Sequence, residues 1–301
     1  MTDYNSVYDF ALKNGCTAVF DEPLSAHTSF KIGGNAKLFV VPESDEALAE
    51  LLKFCADGNI RTLIIGNGSN MLISDNGFDG AIIYIGEKMS GISFIDETTV
   101  KAQAGALLVS VCRKAQAQSL GGMERLYGIP GSVGGGLYMN AGAYGGEMKD
   151  VVYSVSHITQ NGDIGRTEAE NLEFGYRTSV YRKNGCIITG AVFKLKKDDP
   201  EEIQNRMNDY MNRRSTKQPL EYPSAGSVFK RPEGNFAGAL IEQCGLKGKS
   251  CGGAQVSEKH AGFIINKSNA TAKDVRDLIG EIKKTVSDKT GYNLECELII
   301  L

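Results

Sequence analysis

Residues 121–146 read GGMERLYGIPGSVGGGLYMNAGAYGG and contain ten of the 36 glycines of this 301-residue chain. Glycine loses more backbone entropy on folding than any other residue, so this density requires a reason. The usual reason is a backbone that turns with positive φ or lies so close to a ligand that a Cβ would clash. Six apolar anchors favour a folded loop whose N–H groups contact a phosphate over a flexible linker. They are Ile129, Val133, Leu137, Tyr138, Met139 and Tyr144.

A second glycine loop, Gly-Asn-Gly-Ser-Asn at residues 66–70, separates the β-rich run 61–65 from residues 71–73, where the strand pattern resumes. A tight loop with exposed N–H groups between two buried strands suits a pyrophosphate. It is not a Walker A loop, because no Gly-Lys-Ser/Thr follows, and it lacks the Rossmann G-x-G-x-x-G pattern. Taken alone, a plain strand turn explains it equally well.

The composition bounds the class of protein. A hydrophobic content of 42% with 23% charged residues is ordinary for a globular protein, and the length predicts two or three domains. The net charge of −3 argues against nucleic acid as a partner. No apolar run reaches the roughly 18 residues of a membrane span. The N-terminal MTDYNSVYDFALKNG lacks the basic and apolar regions of a signal peptide, so we expect a cytoplasmic protein.

The cysteines and histidines give no sign of a disulfide framework or a metal site. The seven cysteines are scattered, odd in number and form no C-x-x-C pair, so buried free thiols in a reducing compartment are expected. The three histidines are far apart in the sequence, and no zinc site is expected.

Hydrophobic periodicity and capping signals predict alternating strands and helices. A βαβ unit comprises the strand 37–41, a helix that Ser44 caps and that runs through Ala56, and the strand 61–65. Further predicted elements are strands at 81–85, 99–104 and 186–196, a helix at 107–118, and a hairpin that begins with strand 151–159 and turns at Asn161-Gly162.

Asp198-Asp199-Pro200 predicts the clearest boundary in the chain. A polar helix at 201–215 and an extended segment at 218–223 follow it. Thr271 and Asp274 form the capping pattern of a helix that reaches about residue 289. Alternation predicts a last strand over residues 293–300.

Seven segments carry a resemblance to a known family when they are taken in order. The chain resembles the UDP-N-acetylenolpyruvoylglucosamine reductases, flavoenzymes that make UDP-N-acetylmuramate for bacterial cell walls, and its compact form is similar to their shorter, type II version. The resemblance covers nearly the whole chain. The segments are HTSFKIGGNA (27–36), IIGNGSNMLISDNGFDG (64–80), YGIPGSVGGGLYMNAGAYGGE (127–147), FGYRTSVY (174–181), KQPLEYPSAGSVFKRP (217–232), GGAQVSEKHAGFIIN (252–266) and NLECELII (293–300).

The resemblance implies an α+β fold in which residues 1–200 form an FAD-binding domain of the vanillyl-alcohol-oxidase (PCMH) type. Its two subdomains would cover about 1–86 and 87–200, and residues 201–301 would form a smaller α+β substrate-binding lobe. It also implies non-covalent FAD and NADPH as the reductant. Because no separate Rossmann unit is present, one pocket would serve NADPH and the enolpyruvyl sugar nucleotide in turn.

The family's reaction adds a hydride to the β-carbon of an enol ether and a proton to its α-carbon. By resemblance Ser227 donates that proton, although its spacing alone favours a loop serine that bonds its own backbone. Alternation puts Glu295 and Glu297 on one face of the last strand and does not choose between them, whereas the family pattern selects Glu297.

Arg177 completes the catalytic group that the resemblance implies. A guanidinium can hold a carboxylate through two parallel hydrogen bonds, which lysine cannot do. By resemblance Arg177 and Glu297 polarise the enolpyruvyl carboxylate. From the residues alone Arg182 is equally plausible.

The remaining site residues follow from the glycine loops and the serine loop. Lys217 and Arg231 bring positive charge that suits a UDP diphosphate, and Tyr144 and Gln255 are further substrate candidates. The expected FAD contacts are Ile32, Gly33, Gly34, Gly66, Asn67, Gly68, Ser69, Asn70, Gly128, Ile129, Pro130, Gly131, Ser132, Gly134, Gly135, Asn140, Ala141, Gly142 and Gly146.

Two other functions are compatible with the glycine loops. One is a related flavin oxidase or dehydrogenase that acts on an alcohol or a sugar acid, in which the serine loop and the terminal glutamate would have no role. The other is a nucleotide-binding regulator, which would carry no flavin and would not oxidise NADPH. Neither nucleic acid nor membrane is an expected partner.

Overall fold

A computed structural model describes residues 3–301 of the chain. Met1 and Thr2, which begin the segment expected to lack a signal peptide, lie outside the described residues. The α-helices are α1 (Tyr4–Lys13), α2 (Asp45–Asp57), α3 (Leu108–Ala117), α4 (Val133–Tyr138), α5 (Tyr181–Asn184), α6 (Pro200–Lys217), α7 (Ala237–Gln243) and α8 (Ala272–Thr290).

The β-strands are mostly short, and several pair only over two residues. They are β1 (Cys16–Pro23), β2 (Asn35–Pro42), β3 (Thr62–Ile65), β4 (Met71–Leu72), β5 (Phe78–Tyr84), β6 (Ile92–Phe94), β7 (Thr99–Gln103), β8 (Leu120–Gly121), β9 (Gly142–Ala143), β10 (Gly146–Glu147), β11 (Val152–Ile158), β12 (Ile164–Glu168), β13 (Ile187–Lys194), β14 (Lys196–Lys197), β15 (Ser224–Ser227), β16 (Ser250–Cys251), β17 (Ala254–Val256), β18 (Phe263–Asn266) and β19 (Ile299–Ile300).

The chain forms two compact units, and both are discontinuous in sequence. The first unit consists of residues up to Asp21 together with Lys37–Asn67 and Asp79–Arg213. The second consists of Glu22–Ala36, Gly68–Phe78 and Arg214–Leu301. The predicted domain boundaries at 86/87 and 200/201 stay a prediction.

The predicted βαβ unit is present in the first unit, with one strand inserted. The Ser44 hydroxyl accepts the N–H of Ala47 at 3.1 Å and so caps α2, an interaction worth about 1 kcal/mol. The strand order is β1-β2-β5-β3, so β5 lies between the two strands of the unit and pairs in parallel with β3.

A five-stranded sheet, β12-β11-β13-β7-β6, forms the rest of the first unit's scaffold. The predicted hairpin is its β11–β12 pair, in which Ile158 is opposite Ile164. Gly162 lies in the connecting loop with φ of +87°, a left-handed conformation that favours glycine. Helix α4, in the middle of the glycine-rich segment, packs against this sheet at β13 and β7.

The second unit has its own core and its own sheet, β15-β18-β17-β16. Helix α8 begins with the predicted capping box of Thr271 and Asp274. The Asp75 carboxylate also accepts the N–H groups of Ala272 and Lys273, at 2.7 and 3.0 Å. Strand β4 pairs in parallel with β19, the last strand of the chain.

The predictions for two segments, 293–300 and 218–223, were wrong. The last strand covers only Ile299–Ile300 rather than 293–300, because residues 294–298 bond irregularly to residues 228–230 and form a single bridge, Phe229 with Cys296. Residues 218–223 are not extended but turn twice, with hydrogen bonds from Leu220 N–H to the Gln218 carbonyl and from Tyr222 N–H to the Pro219 carbonyl.

The cysteines are free thiols, as the sequence predicts, and four of them are buried. Burial raises the pKa of the Cys112 thiol to about 12, so this thiol is chemically inert near neutral pH. Within residues 3–301, no three His, Cys, Asp or Glu side chains are grouped so that they could hold a metal ion. No helix of this part of the chain is long and apolar enough to cross a membrane.

Candidate active site

The loop 66–70 presents backbone donors that the protein itself does not use. Among residues 3–301, no acceptor takes a hydrogen bond from the backbone N–H groups of this loop. Gly68 has φ of +56°, and a Cβ there would lie 2.1 Å from the His27 carbonyl oxygen, so only glycine fits. Successive unused N–H groups in a tight turn form an anion-binding concavity.

The two glycine-rich segments meet within the first unit. The Asn67 amide donates to the Pro130 carbonyl at 2.6 Å. A Cβ on Gly66 would lie 2.5 Å from the Ser132 hydroxyl, so the two segments are in close contact. Ser132 in turn caps α4 and accepts the N–H of Gly135.

The glycines of α4 have a packing role. The N–H groups of Val133 and Gly134 donate to the carbonyls of Ala106 and Ala104. A Cβ on Gly134 would lie 3.0 Å from that of Ala104. The N–H groups at the start of α4 are therefore already used, whereas those of loop 66–70 are not used within residues 3–301.

The predicted flavin contacts at 32–34 also have packing roles in the second unit. Ile32 is buried in that unit's core. A Cβ on Gly34 would collide with the Asp75 carbonyl oxygen at 2.2 Å, and one on Gly33 would press on the Ile73 side chain at 3.0 Å. Contact of these residues with FAD stays a prediction.

Arg177 lies in a strained two-residue turn of the first unit. Gly175 and Thr178 bond to each other across the turn, and Arg177 has φ of +54°. A non-glycine residue in this region of the backbone is costly and is concentrated at functional sites. The buried Asn140, one of the predicted FAD contacts, donates to the Gly175 carbonyl and so fixes the turn.

The two candidate arginines differ in their surroundings. The Arg182 guanidinium donates to the Arg177 carbonyl at 2.8 Å and so supports the turn. The Arg177 guanidinium donates to the Gly142 carbonyl at 3.3 Å and lies 5.0 Å from the centre of the Tyr176 ring. Arg182 is thus a supporting residue, and Arg177 is the better candidate for a substrate contact.

In the second unit, the backbone of Val228 connects Ser227 to Glu297. Val228 follows Ser227, and its carbonyl accepts the Glu297 N–H at 2.9 Å. The Glu297 carbonyl accepts the Asn70 amide at 3.2 Å. Asn70 ends the glycine loop, so hydrogen bonds connect this loop to the glutamate and the serine.

Glu295 and Glu297 differ in their surroundings although they are two residues apart. The Glu295 side chain is 73% exposed and pairs with Lys230 at 2.9 Å, and this hydrogen bond lowers the pKa of its carboxyl. Glu297 is only half-exposed. The exposed ion pair is typical of a surface contact, which leaves Glu297 as the candidate for chemistry.

The predicted substrate contacts are dispersed over the two units. In the first, Tyr144 stacks on Tyr210 with ring centres 4.9 Å apart. In the second, Lys217 is exposed at the end of α6, and Arg231 lies 4.0 Å from the centre of the Phe236 ring. The Gln255 amide donates to the Gly248 carbonyl and to Ser250. All four substrate assignments stay predictions.

Comparison with known proteins places the chain in a family. Residues 218–301 match the family model described as the C-terminal domain of UDP-N-acetylenolpyruvoylglucosamine reductase, and residues 36–168 match an FAD binding domain. The reductase of Alkaliphilus oremlandii is 49% identical over 94% of this chain and 93% of its own length. That of Syntrophomonas wolfei is 43% identical over 99% of both chains. The chain belongs to the UDP-N-acetylenolpyruvoylglucosamine reductase family.

A solved structure of the reductase family has the same fold. The UDP-N-acetylenolpyruvylglucosamine reductase of Thermus caldophilus superimposes with a TM-score of 0.81 at 34% identity, over 95% of this chain and 98% of its own. The predicted α+β fold with an FAD-binding domain is thereby confirmed.

Proposed function

We propose that this chain reduces UDP-N-acetylenolpyruvoylglucosamine to UDP-N-acetylmuramate, with FAD as bound cofactor and NADPH as reductant, in the synthesis of peptidoglycan precursors. Membership of the reductase family and the FAD-binding domain support this proposal. The enzyme is thus an FAD-dependent oxidoreductase.

The observation that carries the proposal is the hydrogen-bonded connection of Ser227, Glu297 and Asn70 through the backbone of Val228 and Glu297. Ser227 is the group that delivers a proton to the α-carbon. Glu297 and Arg177 hold the enolpyruvyl carboxylate in the orientation that favours charge development on that carbon. Lys217 and Arg231 bind the diphosphate, and Tyr144 and Gln255 contact other parts of the substrate.

The residues of loop 66–70 fit the pyrophosphate of FAD. Their N–H groups are unused within the described chain, and the crowding at Gly68 excludes any side chain. When bound there, FAD would supply the capacity to transfer a hydride between NADPH and the enolpyruvyl group. The residues of 128–135 and 140–146 line the rest of the cofactor site.

We place the reaction in the cytosol and exclude nucleic acid as a partner. The free cysteines fit a compartment in which thiols stay reduced. The net charge of −3 argues against nucleic acid, for which a basic chain is expected.

The purified protein should carry one FAD per chain, and denaturation should release it intact. The loop offers hydrogen bonds to a pyrophosphate, and the proposed site requires no covalent anchor. Absorbance of the supernatant after acid precipitation measures the released flavin. Flavin that stays with the precipitated chain would contradict non-covalent binding and would make His27 the first residue to test.

Turnover distinguishes this proposal from the two other functions. NADPH oxidation should depend on the enolpyruvyl sugar nucleotide and should yield UDP-N-acetylmuramate. A related oxidase or dehydrogenase would hold flavin but would not reduce this nucleotide. A regulator would bind no flavin and would not oxidise NADPH.

Arg177→Lys should lower kcat by about 10²-fold while the protein folds and binds FAD normally. Lysine keeps the charge but cannot form two parallel hydrogen bonds to a carboxylate. The turn conformation at residue 177 is equally costly for lysine and arginine, so the comparison isolates the guanidinium. Steady-state kinetics measure the loss, and unchanged kcat would remove Arg177 from the site.

A further inference from the structure

The ring of His260 and the hydroxyl of Ser227 face the same small space beside Gly262. A Cβ on Gly262 would lie 3.0 Å from Cε1 and 3.2 Å from Nδ1 of His260, and 3.3 Å from Oγ of Ser227. The φ angle of Gly262 is outside the left-handed region, so its backbone does not require glycine. Glycine is explained instead by the narrow space between the His260 and Ser227 side chains, which a Cβ would crowd.

Hydrogen bonds of the Gly262 backbone connect these two side chains. Its N–H donates to Nδ1 of His260 at 3.1 Å. Its carbonyl accepts the N–H of Val228 at 2.9 Å, directly after Ser227. The Val228 carbonyl accepts the Glu297 N–H. Val228 therefore connects Gly262 to both proposed catalytic residues of the second unit, Ser227 and Glu297.

Neighbouring groups hold the His260 ring in one orientation. Because Nδ1 accepts a hydrogen bond, the neutral ring carries its proton on Nε2. The Ser257 hydroxyl accepts the His260 backbone N–H at 3.2 Å, and the Phe263 ring packs edge-on at 4.9 Å. Burial lowers the pKa of His260 below its ordinary value.

Two charged groups act on His260 from α7 and the segment that follows it. After burial, a hydrogen bond with its own backbone is the next largest influence and raises its pKa, and Lys247 lowers and Glu242 raises it by smaller amounts. The two side chains pair with each other at 2.6 Å, so their effects on the ring partly cancel. Loss of solvent therefore decides the direction of the shift.

We propose that His260 is a positioning residue for Ser227. Its uncharged ring accepts the Gly262 N–H and, together with the side-chain-free Gly262, fixes the Ser227 rotamer that delivers the proton to the enolpyruvyl group. This inference rests on the proposed function and assigns His260 a role that the sequence did not indicate.

The proposal sets the sign of a pH dependence. Protonation makes both ring nitrogens donors, so an imidazolium cannot accept the Gly262 N–H. Because its pKa is lowered, His260 stays neutral near pH 7. It loses the hydrogen bond from the Gly262 N–H only when the pH falls below the ordinary histidine pKa of about 6.5. Reoxidation of the flavin by the enolpyruvyl nucleotide should slow in acid, whereas bleaching by NADPH, which takes no proton from Ser227, should not.

The decisive variants are His260→Asn and His260→Leu, followed by stopped-flow absorbance of both half-reactions across pH. Asparagine places an oxygen near the position of Nδ1 and does not titrate, so reoxidation should stay within about threefold of wild type near pH 8 and show no acid fall-off. Leucine removes the acceptor and should slow reoxidation by about 10- to 10²-fold at every pH. Bleaching by NADPH on the same sample reports that each variant is folded and loaded.

His157→Asn is the matched control. His157 also has a pKa lowered by burial, but its Nδ1 bonds to the Tyr181 hydroxyl in the first unit. Its substitution should leave the pH profile of reoxidation as it is in wild type. Carbon-detected NMR of the three histidine rings, on the FAD-loaded protein, gives an independent readout. The His260 midpoint should lie below about 6.5 and coincide with the acid fall-off of reoxidation.

An acid fall-off that persists in His260→Asn would overturn the positioning role, as would a His260→Leu variant that is as fast as wild type. An NMR midpoint well above that of the fall-off would also overturn it. In wild-type protein, the nucleotide should reoxidise the reduced FAD. If it does so at no pH, the proposed function is overturned and this inference with it. That outcome appears without any variant, so the two failures are distinguishable.

Discussion

Ser227→Ala should leave the bleaching of bound FAD by NADPH close to the native rate and slow its reoxidation by the enolpyruvyl nucleotide by at least about 10²-fold. The first half-reaction needs no protein proton at a substrate carbon, whereas the second does. Among residues 3–301, the Ser227 hydroxyl makes only a long, 3.4 Å hydrogen bond to the Phe229 carbonyl, so its removal should cost little stability. Anaerobic stopped-flow absorbance measures both steps on one sample.

Ser224→Ala is the control for this experiment because Ser224 begins the same strand, β15. It should leave both half-reactions near the native rates. Equal slowing of both steps by Ser227→Ala would instead identify Ser227 as a packing residue, and the proton would come from another group.

Glu297→Gln should lower kcat by about 10²- to 10³-fold, whereas Glu295→Gln should change it less than about threefold. Both substitutions replace a carboxylate by an isosteric amide on the same segment. Glu297 is half-buried and its backbone bonds to Val228, beside Ser227, whereas Glu295 is exposed and paired with Lys230. Steady-state turnover of the two variants measures the difference.

The pair of glutamates serves as its own control, since both variants perturb the same irregular segment. Losses of equal size would show that the segment tolerates no amide at either position. A larger loss at Glu295 would identify Glu295, rather than Glu297, as the catalytic carboxylate.

Elements with strong local signals could be predicted from the sequence. Helix α2 is an example, because Ser44 caps its start and its apolar residues recur at helical spacing. The capping box of α8 is another. Such signals depend on neighbours in the sequence, which are the same before and after folding.

The last strand could not be predicted correctly, because its geometry depends on distant residues. Alternation over 293–300 suggests one continuous strand. The chain instead bonds first to Val228 and Lys230 and only then to β4, so the ladder is interrupted.

The proposed roles of Ser227, Arg177 and Glu297 came from the family resemblance, since spacing alone left alternatives open. The structure adds physical reasons for two of these choices, through the support that Arg182 gives to Arg177 and the exposed ion pair of Glu295. His260 had no such signal, because its relation to Ser227 depends on how Gly262 is placed by β15 and β18.

The hydrogen bond from Asn70 to Glu297 has a consequence for biosynthesis. It joins residues 227 positions apart, and β4, which directly follows Asn70, pairs with β19. While the ribosome is still translating the middle of the chain, this end of the glycine loop has no partner strand. Contacts of such long range form late in folding. A nascent chain would therefore complete this end of the glycine loop only after the residues around Glu297 have been synthesised.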